Sequence, residues 1–156
     1  MGNKDNQPQH IVGQECTEEM LQNEHQFLQA LMDNLPDMIC FKDLQSRFTR
    51  INQSQAKLLG LARTEDAIGK TDSDFLAPEY AEAALADEQR IIATGVPLIA
   101  KEERIRRSDG RWRWIVSTKT TIRDRDGKVI GLMGISQDCT DEKEREQHYV
   151  MMQKMA

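Results

Sequence analysis

No run of apolar residues approaches the roughly 18 that a membrane-spanning helix needs. The polar opening Met1-Gly2-Asn3-Lys4-Asp5-Asn6 has no apolar export signal either. Met-Gly invites comparison with a myristoylation site, but position 6 is Asn where that site needs Ser or Thr. Basic residues are not in excess: a formal net charge of −5 argues against a nucleic-acid partner. Cys16, Cys40 and Cys139 are the only cysteines, lie far apart and form no CxxC or CxxCH. That pattern reads as reduced thiols in a cytoplasmic chain, with neither a disulfide framework nor a metal site. There is no nucleophile–base–orienter set, phosphate loop or metal cluster, so an enzyme is not expected.

What is present is enough for one domain of ordinary size with flanking segments. The chain has 156 residues, 38% of them apolar and 30% charged, which suits a globular core. Residues 1–16 are polar and expected to be disordered. Thr17-Glu18-Glu19 then predicts a helix start, with Thr as cap and acids at the positive end of the dipole. Leu21, Leu28 and Leu35 recur every seven residues, flanked by Phe27 and Leu31. Such a seam buries itself against another helix or a sheet. Pro36 ends the helix nearby.

Two short strands follow, over 38–43 and 47–52, with a tight turn between them. Residues 53–60 predict a short helix stopped by Gly60, and 64–69 a single helical turn. The longest central helix is expected over 79–94, ended by Gly95. Three more strands are expected over 98–107, 111–123 and 129–137. Asp109-Gly110 and Asp126-Gly127 between them are hairpin signals, because Gly takes a positive φ without steric cost. Hairpins at both ends with helices between make an α+β domain with an antiparallel sheet.

Several stretches in this order resemble the PAS family over residues 35–140. They are Leu35-Pro36-Asp37-Met38-Ile39-Cys40-Phe41-Lys42-Asp43, then Arg47-Phe48-Thr49-Arg50-Ile51-Asn52, then Ile68-Gly69-Lys70-Thr71-Asp72-Ser73-Asp74-Phe75. Asp109-Gly110-Arg111-Trp112-Arg113-Trp114 and Gly131-Leu132-Met133-Gly134-Ile135-Ser136 follow, and Asp138-Cys139-Thr140 resembles the family's closing D-x-T. The resemblance implies a five-stranded antiparallel sheet with helices on one face. It also implies a sensory or dimerisation role upstream of an output domain. The organisation expected is a disordered segment (1–16), an amphipathic helix (17–35), the PAS domain (36–140) and a signalling helix (141–156). The tail Gln153-Lys154-Met155-Ala156 resembles the entry to the dimerisation helix of sensor histidine kinases. A diguanylate cyclase or chemoreceptor output, or a constitutive homodimerisation module without ligand, is the alternative. His148, in Gln147-His148-Tyr149, reads as a solvated helix residue and not as a phosphoacceptor.

Within the family a reactive Cys on a central helix marks covalent flavin binding, and a His on the long helix marks haem binding. No Cys lies between Cys40 and Cys139, and 79–94 contains no His. Neither cofactor is expected, and no other is named by the residues. A small-molecule pocket or a filled core remains. On the strand over 111–123 both faces carry apolar residues, so the sheet must be covered twice. Parity alone leaves open which face points inward. The resemblance implies that Ile115, Ser117, Lys119 and Thr121 face the pocket, beside Leu132, Gly134 and Ser136. Ile39, Phe41, Glu103 and Ile105 complete the candidate lining. Lys119 then needs a partner, since an unpaired buried charge is costly; Glu103, Glu102 or an anionic ligand would serve. Leu21, Phe27, Leu28, Leu31, Leu35, Trp112 and Trp114 are the candidate dimer interface. Asp138 and Thr140 are expected to bond backbone N–H groups at the start of the exit helix and so relay motion. Asp72 and Asp74 read as caps before Phe75 in preference to a cation site, and 101–107 as a solvated, charge-paired face.

Overall fold

The computed structural model describes residues 9–107 and 109–156. The chain divides into two units, residues 1–34 and 35–156. The first is one helix, α1 (Gln9–Asn34). Its start corrects two expectations: residues 9–16 are helical, and Thr17 is no cap. The Thr17 hydroxyl instead donates back to the Gly13 carbonyl at 2.8 Å, within the helix. Residues 1–8 of the segment expected to be disordered lie outside the described residues. Along α1, Leu21, Phe27, Leu28 and Leu31 are exposed.

In the second unit β1 (Met38–Lys42) and β2 (Phe48–Ile51) lead to α2 (Gln53–Leu59), two short helical turns at Thr64–Ala67 and Asp72–Asp74, and α3 (Pro78–Thr94). Then come β3 (Leu98–Arg106), β4 (Trp112–Arg123), β5 (Val129–Asp138) and α4 (Thr140–Met155). The five strands form one sheet in the order β2-β1-β5-β4-β3, antiparallel at every pairing.

Local chemistry accounts for most boundaries. Pro78 opens α3, where its missing N–H is no loss and its fixed φ suits the first turn. Asn52 ends β2 and starts α2: its Oδ1 accepts from Gln55 N and Ile39 N, both at 3.0 Å, while its Nδ2 donates to the Asp37 carbonyl at 2.8 Å. One amide therefore caps a helix and pins the entry to β1. Between β1 and β5 the backbones run so close that a Cβ on Gly131 would sit 2.6 Å from the Lys42 carbonyl oxygen. Only glycine fits there.

Register decides the faces. Met38 pairs with Ser136, Cys40 with Gly134 and Lys42 with Leu132. Ser117 pairs with Ser136 and Lys101, Lys119 with Gly134, and Ile115 with Glu103. Because side chains alternate, these residues share the face that meets α3. The opposite face carries Ile39, Phe41, Glu102, Arg104, Trp112, Trp114, Val116 and Thr118. The helix-facing side holds an apolar cluster of Met38, Leu58, Ile105 and Ile115; a second, around Phe48, Ile51, Ala56 and Leu76, fills the α2 end.

Candidate functional site

The helix-facing side of the sheet is not a simple apolar core. At its centre stands a charged cluster. Lys42 Nζ donates to Asp72 Oδ2 at 2.7 Å and to Glu88 Oε1 at 2.6 Å. Lys119 Nζ, on β4 two strands away from β1, donates to the same Glu88 oxygen at 3.3 Å. Glu88 comes from α3 and its side chain is 2% exposed. Lys42 also lies over the Phe48 ring, 4.7 Å from its centroid. Burial alone would pull the Lys42 ammonium down. The Asp72 and Glu88 carboxylates more than offset that and hold it above the ordinary lysine value. β1 and β4, the turn at 72–74 and α3 thus meet through charge.

Two acceptors in this layer are unsatisfied. Glu88 Oε2 and Glu103 Oε2 are buried without a hydrogen-bond partner. The other Glu103 oxygen pairs with Lys101 Nζ at 3.0 Å, and Lys101 bonds Asp87 on α3 at 2.6 Å. Tyr80 packs among these groups; burial pushes its phenol well above the ordinary value, and the Asp72, Glu103 and Glu88 carboxylates push the same way. Ser117 and Ser136 share a hydroxyl hydrogen bond of 2.8 Å across β4 and β5.

The structure brings Glu103, Ile105, Ile115, Ser117, Lys119, Thr121, Leu132, Gly134 and Ser136 to one face. Ile39 and Phe41 are corrections. They alternate with Cys40 and Lys42 and so point to the opposite side. The partner of Lys119 is a further correction, since it is Glu88 and neither strand acid. Glu103 goes to Lys101, and Glu102 to Lys143 on α4 at 2.7 Å. Asp72 is no cap. Asp74 does that work, accepting from Thr71 N at 2.8 Å, while Asp72 turns inward to Lys42. The 101–107 stretch is likewise not a solvated face throughout: Ile105 is fully buried and Glu103 half-buried.

At the far end of the sheet β5 runs into α4. Asp138 Oδ1 accepts from Thr140 N at 3.0 Å, and Oδ2 accepts from Arg113 Nε at 2.8 Å. Burial pushes the Asp138 carboxyl up, but the bonds from Arg113 and Thr140 outweigh it and hold the group below the ordinary value. Thr140 departs from expectation. Its Oγ1 accepts from Trp114 N in β4 at 2.9 Å, so it binds the sheet and not the helix. Cys139 N donates to the Trp114 carbonyl at 2.9 Å. On the outer face, Arg104 lies 5.0 and 5.5 Å from the Trp112 and Trp114 ring centroids, and Lys143 lies 5.8 Å from that of Trp114. Trp112 is 53% exposed.

Sequence reasoning passed over Lys42, Glu88 and Tyr80 as site residues. A signal for Glu88 existed. It falls at helical spacing with Ala81, Ala84 and Ile91, all buried on α3. An acid on an apolar stripe needs a buried cation.

The thiols give a direct check. Burial pushes Cys40 up to about 11 from an ordinary 9.0. At pH 8 that leaves roughly one Cys40 in a thousand as thiolate. Cys139 is buried and also raised by burial, whereas Cys16 is exposed. Mass spectrometry after iodoacetamide treatment is expected to show Cys16 modified, with Cys40 slower by roughly 100-fold or more. Comparable rates at Cys16 and Cys40 would contradict the buried β1. Because the folded value is raised, the Cys40 contribution to stability is intact below pH 9 and is lost as pH rises toward about 11.

A diguanylate cyclase of Vibrio cholerae is 33% identical over 135 residues, covering 85% of this chain and 42% of that protein. The C4-dicarboxylate transport sensor protein DctS of Rhodobacter capsulatus is 32% identical over 128 residues, covering 81% and 19%. The chain therefore spans less than half the length of either relative. Among solved structures, a Vibrio cholerae VqmA dimer in the absence of its target DNA is 35% identical with a TM-score of 0.66, over 72% of this chain and 50% of that one. VqmA bound to DPO is 34% identical with a TM-score of 0.64, over 70% and 55%. A family model described as a PAS fold matches residues 32–144, a span that takes in the whole sheet, its helical layer and the joint with α4. With fold and sequence in agreement over that span, the chain belongs to the PAS family.

Proposed function

We propose that this PAS domain is a sensory module whose interior takes a small molecule and whose α4 passes the response to an output domain. The single observation behind this is the buried charged layer with its two unsatisfied carboxylate oxygens, Glu88 Oε2 and Glu103 Oε2. A core that serves only to hold two copies together gains nothing from such groups, since apolar residues of similar volume stabilise as well or better. Unsatisfied acceptors beside Ser117 and Lys119 are what a ligand with hydrogen-bond donors would complete. Ile115, Thr121, Leu132, Gly134 and Ser136 would flank it. VqmA bound to DPO lends support from a related fold.

The output we favour is a sensor histidine kinase in the cytoplasm, as DctS and the aerobic respiration control sensor ArcB suggest by name. Any catalysis would belong to such a downstream domain. The diguanylate cyclase relative supports the alternative output. We assign contacts with a second copy to the exposed Leu21, Phe27, Leu28 and Leu31 in the first unit and, separately, to Leu35, Trp112 and Trp114 in the second. We assign no nucleic acid to this domain; target DNA is a property of VqmA. Switching such a module from 1:99 to 99:1 requires about 5.5 kcal/mol of differential binding.

Native mass spectrometry of the purified chain tests the reading. Added mass that disappears on denaturation is expected, and Ser117→Leu should remove it while Ser117→Ala keeps the fold. A dimer with no added mass, and no small-molecule fraction that shifts its melting, would leave a dimerisation module as the better account.

A further inference from the structure

Tyr80 stands in the first turn of α3, and its ring packs against both apolar clusters. That packing fixes where the hydroxyl lies. Its surroundings are charged: Asp72, Glu103 and Glu88 act on it, with the Cys40 thiol beside them. A buried tyrosine hydroxyl ordinarily has a hydrogen-bond partner. This one has none among the described residues, and it is not one of the fully enclosed atoms. Its neighbours agree. Cys40, Glu103 and Ser136 face the helical layer, yet each is only part-buried, as is Tyr80 itself. Room therefore remains beside the phenol, between the first turn of α3 and the sheet.

The chemistry around the hydroxyl selects what fills that room. Lys42, Lys101 and Lys119, the lysines that face this layer, already hold carboxylates. An incoming anion would find no free lysine there and would meet Asp72, Glu88 and Glu103; burying a charge so placed is costly. An ammonium group has three donors and no acceptor, so it offers nothing to the phenol O–H. The phenol stays protonated, because burial and those acids hold it well above its ordinary value. It is a fixed donor, and a neutral acceptor is what completes it.

We propose that Tyr80 is the residue that selects the ligand, by donating a hydrogen bond from its phenol to a small uncharged molecule with a carbonyl or ring-nitrogen acceptor. Met38, Cys40 and Ser136 would border that molecule. This rests on the sensory reading and deepens it, since it names the class of ligand and the group that chooses it.

The test is an NMR titration of the full chain labelled with 3-fluorotyrosine and nitrogen-15. The chain has two tyrosines, and Tyr149, which is 64% exposed, serves as the internal control. The probes share one ring: cyclopentanone, cyclopentylammonium chloride and sodium cyclopentanecarboxylate, at equal ionic strength. Cyclopentanone should move the Tyr80 fluorine signal saturably, leave that of Tyr149 in place and shift the amides of residues 38–40, 79–81 and 134–136. The two ions should bind about tenfold more weakly or not at all. Tyr80→Phe keeps the ring and its packing, so the fold stays. It should bind cyclopentanone about fivefold more weakly, the size of one neutral hydrogen bond. The proposal is overturned if Tyr80→Phe binds cyclopentanone as well as the parent, if either ion matches cyclopentanone, or if the Tyr80 signal does not move. Failure here is separable from failure of the sensory reading: a molecule that co-purifies equally with the parent and with Tyr80→Phe overturns this inference and supports that reading.

Discussion

Glu88→Ala is expected to lower the stability of the domain by about 3–5 kcal/mol, the cost of breaking a buried ion pair from one side. The reason is what remains. Lys42 keeps Asp72, but Lys119 loses the one carboxylate that pairs with it among the described residues. Its side chain is 11% exposed, so it cannot simply turn into water. Urea unfolding read by tryptophan fluorescence should show a midpoint lower by about 2 M, taking a slope near 2 kcal/mol/M. Glu88→Gln retains an acceptor and should cost less. The double variant Glu88→Met with Lys119→Met leaves Lys42 with Asp72 as a matched pair and should recover most of the loss, a non-additivity of at least ~1 kcal/mol. A loss under about 1 kcal/mol for Glu88→Ala would mean that water reaches the cluster and the charges are screened.

The second large effect belongs to the joint between β5 and α4. Thr140→Val removes the acceptor for Trp114 N, and Thr140 is 3% exposed. Leaving a buried N–H unmade costs about 1–3 kcal/mol. Asp138→Asn keeps an acceptor for Thr140 N but gives up the charge facing Arg113; that pair is about a third exposed and worth correspondingly less. Hydrogen exchange should therefore speed up in residues 141–144 by about tenfold or more for Thr140→Val, since 1.4 kcal/mol is a factor of ten. The effect in Asp138→Asn should be smaller and in the same place. Acid should act like Asp138→Asn. The Asp138 carboxyl is held below its ordinary value, so its contribution is present above about pH 4 and is lost as pH falls through the depressed folded value. Unchanged exchange at 141–144 in Thr140→Val would show that the threonine is no anchor.

Much of the architecture was readable because its signals were local. Asp-Gly turns, the Gly95 stop and the two-residue alternation of β4 each follow from the backbone preferences of a few residues. Residues 9–16 illustrate the converse, since polar composition argued for disorder where the chain is helical. The face of β1 was not readable, for a physical reason. Met38 and Ile39 are both buried although they point to opposite sides, so β1 shows no alternation to read. Its informative residue, Lys42, looks like a surface residue because lysine is rarely buried without partners. Those partners lie 30 and 46 positions away. No spacing rule reaches that far. The same limit hid the true partner of Lys119: strand acids were visible as neighbours, but Glu88 arrives from α3 only once the layers close.

The first turn of α4 is tied down twice. Asp138 and Thr140 fasten it to Arg113 and Trp114 of β4, and Lys143 fastens it to Glu102 of β3. A rod pinned at one point can swivel freely; pinned to two neighbouring tracks, it must turn as they turn. The pairing of β3 with β4 carries an extra residue between Leu98 and Lys101, with Ala100 at a φ of 51°, and is regular from Lys101 to Arg106, so Glu102 is held in the continuous part of the ladder. Motion that begins in the interior would leave the domain as torsion about the axis of α4 more readily than as a push along it.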